Sequence, residues 1–319
     1  MVRFHSGALV RGFFPFPLLL YFSKPFRHKT QRKDNMNITQ FRQELLALLQ
    51  EKYGEDKPFV LKPVQKNNGS SYTGIICTSS KGASPAINTD AYFSAYSRGM
   101  TMDRIMDHIA ESLDLNILDE DIVKKADDFN VYKDKLCIKL VNREMNKEFL
   151  KEHPYRPFLD LAKIVIYYDH NSEQNMSKTI VISSRLMNIW GITKRQLFDT
   201  AEKNSVKNMP VVFSPLSEFI PIPLTEDPPL YCLTNRSRTY GAACITYPGE
   251  AERIADALGS DYFLIPSSIH EILIFKGTTK DRDKYDTMIK EVNKEAVPAD
   301  CVLGNHSYFY DREKKKFIY

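Results

Sequence analysis

Apolar residues recur along this chain at two different spacings. In Ile38–Tyr53 they stand three or four positions apart, which predicts an amphipathic helix with Thr39 as its N-cap and Gly54 at its end. In Phe158–Tyr168 they stand nearly side by side, which is typical of a buried strand. Strand pairs joined by short turns are mixed with single helices. This order favours an α+β fold with mixed sheets and flanking helices.

The same two spacings predict the other elements, and helices often follow a capping residue such as Ser183 or Thr193. The further predicted helices are Met100–Leu115, Asp119–Phe129, Arg143–Lys151, Arg185–Trp190, Lys194–Asn204, Gly249–Leu258 and Arg282–Val297. The further predicted strands are Phe59–Val64, Tyr72–Cys77, Leu136–Val141, Thr179–Ile182, Met209–Phe213, Leu230–Leu233, Ala242–Tyr247, Phe263–Ile265, Glu271–Phe275, Ser307–Tyr310 and Lys316–Ile318. We expect Pro85–Tyr96 and the proline-rich stretch Pro215–Pro229 to be irregular.

The length of 319 residues is that of about two domains. Two prolines in the stretch His153–Pro157 fix the backbone and disfavour a helix, which predicts a rigid turn. We therefore predict two subdomains that meet near this turn. They are an N-terminal α+β region, residues 36–157, and a C-terminal mixed α/β region, residues 158–319.

Residues 1–35 differ from the rest of the chain in charge. They hold seven Lys and Arg residues against Asp34 alone, whereas the remainder has 37 basic and 39 acidic residues. The body therefore lacks the basic face of a nucleic-acid binder, and we expect no nucleic-acid partner. The apolar run Phe13–Phe22 is shorter than the ~20 residues that cross a membrane, and no cleavage site follows it. We expect a disordered leader or translation from Met36; a targeting segment is the remaining alternative.

The five cysteines are widely spaced and form no C-x-x-C pair. This excludes the common zinc and thioredoxin-type motifs, so we expect no metal site. Single cysteines within apolar runs are typical of buried thiols in a reducing cytoplasm. The chain also lacks both glycine-rich phosphate-binding motifs, so we expect no nucleotide cofactor.

The stretch Leu264–Glu271 contains a hydroxyl pair, an imidazole and a carboxylate, and it lies between two apolar runs. Its candidate catalytic residues are Ser267, Ser268, His270 and Glu271, which could act as nucleophile, base and orienting acid. Residues so close in one loop rarely aim at each other, however, and no G-x-S-x-G motif is present. A structural turn is therefore the alternative interpretation. Candidate ligand-binding residues beside other predicted elements are Asp169, Ser183 and Asn204.

Three stretches carry a family resemblance: Ile180–Asn204, Leu264–Glu271 with its L-x-P-S-S-x-H-E pattern, and Ile289–Tyr308. Together they resemble an uncharacterised clostridial family known only as a domain of unknown function. The resemblance covers residues 36–319 and brings no activity or catalytic residue. It implies a bacterial cytosolic protein that is carried on mobile elements.

Three functions remain open from the sequence. The first is a binding or regulatory module that recognises a protein or a small ligand through loops near Asp169, Ser183 and Ser267. The second is a serine hydrolase that uses Ser267 or Ser268 with His270. The third is a structural subunit of a phage-related assembly.

Overall fold

The computed structural model describes residues 4–6, 36–55, 58–78, 86–115, 125–171, 176–219, 229–277 and 282–319. The helices are α1 (Ile38–Tyr53), α2 (Thr89–Ser97), α3 (Met102–Leu115), α4 (Phe129–Tyr132), α5 (Lys147–Lys151), α6 (Ser184–Ile189), α7 (Lys194–Asn208), α8 (Glu250–Leu258) and α9 (Arg282–Glu295). The strands are β1 (Phe4–Ser6), β2 (Phe59–Gln65), β3 (Ser71–Cys77), β4 (Ile87–Asn88), β5 (Leu136–Asn142), β6 (Tyr155–Phe158), β7 (Leu161–Asn171), β8 (Met176–Val181), β9 (Val211–Pro215), β10 (Tyr231–Asn235), β11 (Tyr262–Ile265), β12 (Ile272–Lys276), β13 (Tyr308–Asp311) and β14 (Lys316–Ile318). All strand pairs described here are antiparallel, and the predicted α+β class is confirmed.

The described residues between 36 and 115 form an N-terminal module around the sheet β2-β3-β4. The apolar face of α1, with Phe41, Leu45 and Leu49 fully buried, packs on this sheet together with α2 and α3. The helix α1 has the predicted bounds, but its N-cap is Asn37 rather than Thr39. The Asn37 side chain accepts from Gln40 N while the Gln40 side chain accepts from Asn37 N, so the two residues form a reciprocal capping box.

The central sheet has the order β1-β8-β7-β5, and β6 pairs with the first half of β7. Its long strand β7 pairs with β5 through Leu161–Tyr167 and with β8 through Ile166–Asn171. The strand β5 belongs to the predicted N-terminal region, so this sheet crosses the boundary expected near residue 157. The expected rigid turn at His153–Pro157 is in fact largely strand, because β6 forms a hairpin with β7.

The C-terminal sheet has the order β14-β13-β11-β12-β10-β9. One hydrophobic core lies between this sheet and the central sheet, with α6, α7 and α8 closing its sides. Both sheets contribute strand residues to it: Ile138 and Val165 of the central sheet lie in the same core as Leu233 and Ile274 of the C-terminal sheet. A second core on the other face of the C-terminal sheet is covered by α9.

Other predicted elements also differ from the structure within the described residues. The predicted strand Ala242–Tyr247 is a 3-10 helix, Gly241–Thr246. Its apolar run is fully buried, and a short buried run does not distinguish strand from helix by periodicity. The stretch Pro85–Tyr96, expected to be irregular, contains most of α2 because the Asn88 side chain caps that helix. Most of the predicted helix Asp119–Phe129, the middle of Pro215–Pro229 and most of the leader lie outside the described residues.

Candidate functional site

Ser267, Ser268 and Glu271 form a buried polar cluster between β11 and β12. Both serine hydroxyls donate to one carboxylate oxygen, Glu271 Oε1, at 3.0 Å from Ser267 and 2.8 Å from Ser268. Each of the three residues is at most 1% exposed. Burial raises the pKa of Glu271 to about 8, although the two hydroxyl hydrogen bonds lower it. These hydrogen bonds stabilise the turn that connects β11 to β12. Both hydroxyls are buried and donate to Glu271, so neither is available to a substrate.

His270 points away from these serines. Its backbone N–H donates to Ser268 Oγ at 2.9 Å, whereas its ring Nδ1 accepts from Tyr240 N at 3.3 Å. A hydroxyl that donates to Glu271 has no proton left for the imidazole. The hydrogen bonds therefore do not form a serine–histidine dyad, and the geometry gives the serine-hydrolase hypothesis no support.

The candidate ligand-binding residues Asp169, Ser183 and Asn204 also have structural partners. Asp169 pairs with Lys135 at 2.7 Å, and Asn204 donates to the carbonyl of Lys133 at 2.6 Å, so both hold the segment that leads into β5. Ser183 caps α6 by accepting from Leu186 N.

These predicted positions do not gather into one site. Asp169 lies opposite Lys178 in the β7–β8 ladder, whereas Ser183 follows the far end of β8, where Ile182 N donates to the carbonyl of Val165. At about 3.4 Å per residue this separation is roughly 15 Å. Ser267 lies in the loop that follows β11, a strand of the other sheet.

A different group of side chains meets where the N-terminal module contacts the two sheets. We call it the interface recess and define it by six residues: Lys66, Lys139, Tyr240, His270, Asp300 and Cys301. Its central group is Lys139, which lies in the middle of β5 and is 7% exposed. The Lys139 ammonium lies 4.5 Å from the centre of the Tyr240 ring. Such a cation–π contact stabilises the charge but supplies no hydrogen-bond acceptor.

Among the described residues, Lys139 Nζ has no hydrogen-bond acceptor and no carboxylate within ion-pair distance. The Tyr310 hydroxyl is the only side-chain nitrogen or oxygen in the described ranges that is both fully buried and without a partner. Lys139 Nζ therefore keeps some contact with solvent. Burial lowers the pKa of Lys139 to about 8, and the nearby Cys301 and Asp300 partly oppose this effect.

Tyr240 and His270 form the wall beside Lys139. Their rings stack 5.6 Å apart, at 15° to each other. Burial lowers the pKa of His270 to about 4, with a further contribution from the Lys139 charge, so the imidazole is neutral. Because Nδ1 accepts a hydrogen bond, the single ring proton is on Nε2, which faces Cys301 Sγ at 3.8 Å.

The turn that carries Tyr240 is built with unusual backbone geometry. Arg238 and Tyr240 have φ values of 52° and 56°, a region that non-glycine residues seldom adopt. The Asn235 side chain holds this turn by donating to the carbonyl of Thr239 at 2.7 Å and accepting from Ser237 Oγ at 2.9 Å. A strained turn that its surroundings hold in place is a common feature of functional sites.

The opposite wall comes from the loop Pro298–Val302 and the tip of the β2–β3 hairpin. Asp300 pairs with Lys66 at 2.7 Å, and Ile269 N donates to the carbonyl of Cys301 at 2.9 Å. The hairpin tip is fixed there by Asn68, whose amide donates to the carbonyls of Ala299 and Val302. The recess is therefore assembled from segments of both the N-terminal module and the body.

The charges of the recess do not balance. The Lys66 ammonium is paired with Asp300, the imidazole of His270 is neutral, and burial raises the pKa of the Cys301 thiol to about 12. One positive charge, that of Lys139, is left without a negative partner. The arrangement can accept an anion, or it can present an amine to an electrophile.

The sequence analysis named His270 as a candidate but not Lys139, although the sequence pattern around Lys139 is unusual. The run Leu136–Asn142 is buried at every position, and Lys139 is its only charged residue. A lysine inside an otherwise apolar strand is costly unless paired, which marks it for attention. Nothing in the local sequence indicated that Tyr240 or Asp300 would lie near it.

The described part of the chain holds neither a metal cluster nor a membrane-spanning helix. There, no group of three or more His, Cys, Asp or Glu side chains is placed to hold a metal ion. His306 does not join His270, because the His306 ring contacts Asp160 at 2.8 Å. No helix of the described ranges combines the length and the apolar character needed to cross a bilayer.

Fold and site together define an α+β protein with a cationic recess between an N-terminal module and a two-sheet body. The chain matches a family of unknown function, DUF5688, over residues 38–312, and it belongs to this family. Comparisons with curated proteins and with solved structures gave no match. The predicted membership of a family of unknown function is confirmed, while the clostridial origin and the L-x-P-S-S-x-H-E pattern as a family mark stay predictions.

Proposed function

We propose that this protein binds a small anionic ligand in the interface recess, with the negative group of the ligand at Lys139. The observation that carries the proposal is the ammonium of a buried lysine that has no acceptor among the described residues. A hydrogen bond to a charged group contributes about 1.5–3 kcal/mol when it replaces an unsatisfied one. An anion in the recess would supply this bond to Lys139.

The position of the recess supports a regulatory role for the bound ligand. Ligand sites often lie between domains, where a few polar groups converge. Here the ion pair Lys66–Asp300 links the N-terminal module to the loop beside Lys139. A ligand at Lys139 would therefore stabilise the contact between module and body.

The test is the change in melting temperature caused by two probe anions, acetate and inorganic phosphate, against sodium chloride at equal ionic strength. The fluorescence of Trp190, the single tryptophan, reports unfolding because its ring is buried in the shared core. A probe at 100 times its Kd adds about 2.7 kcal/mol of stability. For a protein of this size that is a shift of several degrees, on the order of 2–4 °C per kcal/mol.

Lys139→Met is the test variant, since methionine fills a similar volume without a charge. Lys276→Met makes the same chemical change at an exposed strand position and is its matched control. We expect at least one probe to raise the melting temperature of the wild type and of Lys276→Met but not of Lys139→Met. Equal shifts in all three proteins, or none in the wild type with either probe, would refute the proposal.

The other predicted functions have less support. No specific observation favours a serine hydrolase or a phage-related subunit, and a protein partner lacks a defined surface among the described residues. A cytoplasmic location is part of the proposal, supported by five free cysteines, three of which are buried. The bacterial origin and the link to mobile elements rest on the sequence resemblance alone.

A further inference from the structure

The nitrogen of Lys139 has two properties that a charged binding residue does not need. Its surroundings make part of the amine neutral at physiological pH, because burial lowers the pKa of Lys139 to about 8. Its position leaves the nitrogen without a hydrogen bond, because it has no acceptor among the described residues and lies 4.5 Å from the centre of the Tyr240 ring. A desolvated lysine that is partly neutral at physiological pH is a nucleophile towards carbonyl groups.

We propose that Lys139 forms an imine with a small carbonyl compound that carries a negative group, as an anionic aldehyde or a 2-oxo acid does. This inference rests on the proposed function, because it places the same anionic ligand in the same recess and adds a covalent bond.

The step needs no oxidant, reductant or metal. The ammonium of Lys139 releases a proton to water, and the free amine adds to the carbonyl carbon to form the new carbon–nitrogen bond. The nitrogen then gives up its two protons, while the carbonyl oxygen takes up two, breaks its bonds to the carbon and leaves as one water molecule, which gives the imine. Protonation of the imine nitrogen restores a cation at the place where the ammonium was.

The recess suits this product as well as the amine. A protonated imine keeps its positive charge over the Tyr240 ring, so the cation–π contact at 4.5 Å can persist. The negative group beside the carbonyl then neutralises this charge, which Asp300 does not balance because it is already paired with Lys66. Only 7% of Lys139 is exposed, which favours a ligand of a few atoms.

The test is reductive trapping with glyoxylate, the smallest anionic aldehyde, and sodium cyanoborohydride, on the full-length wild-type protein. Peptide mapping by mass spectrometry measures the rate at which each lysine becomes carboxymethylated. Lys276, exposed on β12, is the internal reference in the same digest. At pH 7 a lysine with a pKa of about 8 has a few hundred times more free amine than an ordinary lysine. We expect Lys139 to be labelled faster than Lys276 at this pH, with a rate that rises to a plateau above pH 8.

The outcomes separate this inference from the proposed function. Labelling of Lys139 no faster than of Lys276, in a protein whose melting temperature acetate or phosphate raises through Lys139, overturns the imine and keeps the binding site. A labelling rate that still rises steeply above pH 9 also overturns it, because the amine would then be an ordinary one. Fast labelling that unlabelled acetate suppresses supports both proposals. Fast labelling without any effect of either anion refutes the anion site, and with it the imine of an anionic ligand, and shows only that the amine of Lys139 is reactive.

Discussion

Glu271 makes the stability of the protein depend on pH in a way that a single substitution can remove. Its carboxyl group is buried, and it accepts hydrogen bonds from the hydroxyls of Ser267 and Ser268 rather than from a cation. Burial therefore raises its pKa from 4.5 to about 8. Between these values the folded protein holds a proton that the unfolded chain has released.

The sign and size of the effect follow from this difference. A group whose pKa is raised by folding stabilises the folded state fully below its unfolded pKa, and that contribution is lost as the pH rises through the folded pKa. The slope is ~1.4 kcal/mol per pH unit while only the folded state is protonated. Over the interval from pH 4.5 to about 8, the loss is on the order of 5 kcal/mol.

Glu271→Gln should abolish this dependence. The amide oxygen can accept both serine hydroxyls, and the amide does not titrate. We expect similar stability of variant and wild type at pH 5, and a variant that is more stable by several kcal/mol at pH 9. Urea unfolding followed by Trp190 fluorescence at each pH measures the difference, because Trp190 shares a core with the flanking residues Ile269 and Ile272. Glu291→Gln, at an exposed position of α9, is the matched control. Parallel stability profiles of wild type and Glu271→Gln from pH 5 to pH 9 would refute the reasoning.

Two further predictions concern other contacts of the body. The hydrogen bond to Asp160 raises the pKa of His306, so the stability that this contact gives is present below pH ~6.5 and is lost as the pH rises through the folded value. His306→Asn should be less stable than the wild type at pH 6 and nearly as stable at pH 9. Urea unfolding at the two pH values measures this, and a stability difference that is the same at both would contradict the prediction. A Cβ on Gly241 would lie 2.6 Å from both Asn235 N and the carbonyl oxygen of His270. Gly241→Ala should lower the free energy of unfolding by about 1–3 kcal/mol and should reduce the rise in melting temperature that acetate or phosphate causes. A rise as large as in the wild type would show that this turn does not position the recess.

The elements that sequence patterns predicted well are those whose signals are local. The helix α1 has its predicted bounds because its apolar stripe and Gly54 all lie within one segment. The helix α7 likewise starts after its predicted cap Thr193, which forms a capping box with Gln196. The 3-10 helix Gly241–Thr246 was missed because its conformation depends on contacts with β10 and β5, outside its own segment.

The recess could not be predicted for the same reason. Its residues come from a hairpin tip, a strand, a turn and two loops, and the packing of these elements brings them together rather than a motif. His270 was named from sequence for its neighbours Ser267 and Ser268, yet its ring contacts Tyr240 and Cys301 instead. A cluster of polar residues in sequence thus identified the correct loop and the wrong partners.

A comparison of two lysines on neighbouring strands shows why Lys139 carries the functional argument. Lys163, on β7, lies opposite Leu140 and is also largely buried, but its ammonium pairs with Glu202 at 2.6 Å. Such a pair satisfies the charge, so Lys163 needs no explanation beyond the fold. Lys139 lies opposite Ile164 and has no such partner, so an apolar residue there would avoid the cost of desolvation. A buried lysine that lowers stability and forms no ion pair is expected where its charge or its amine is used. Such groups concentrate at functional sites.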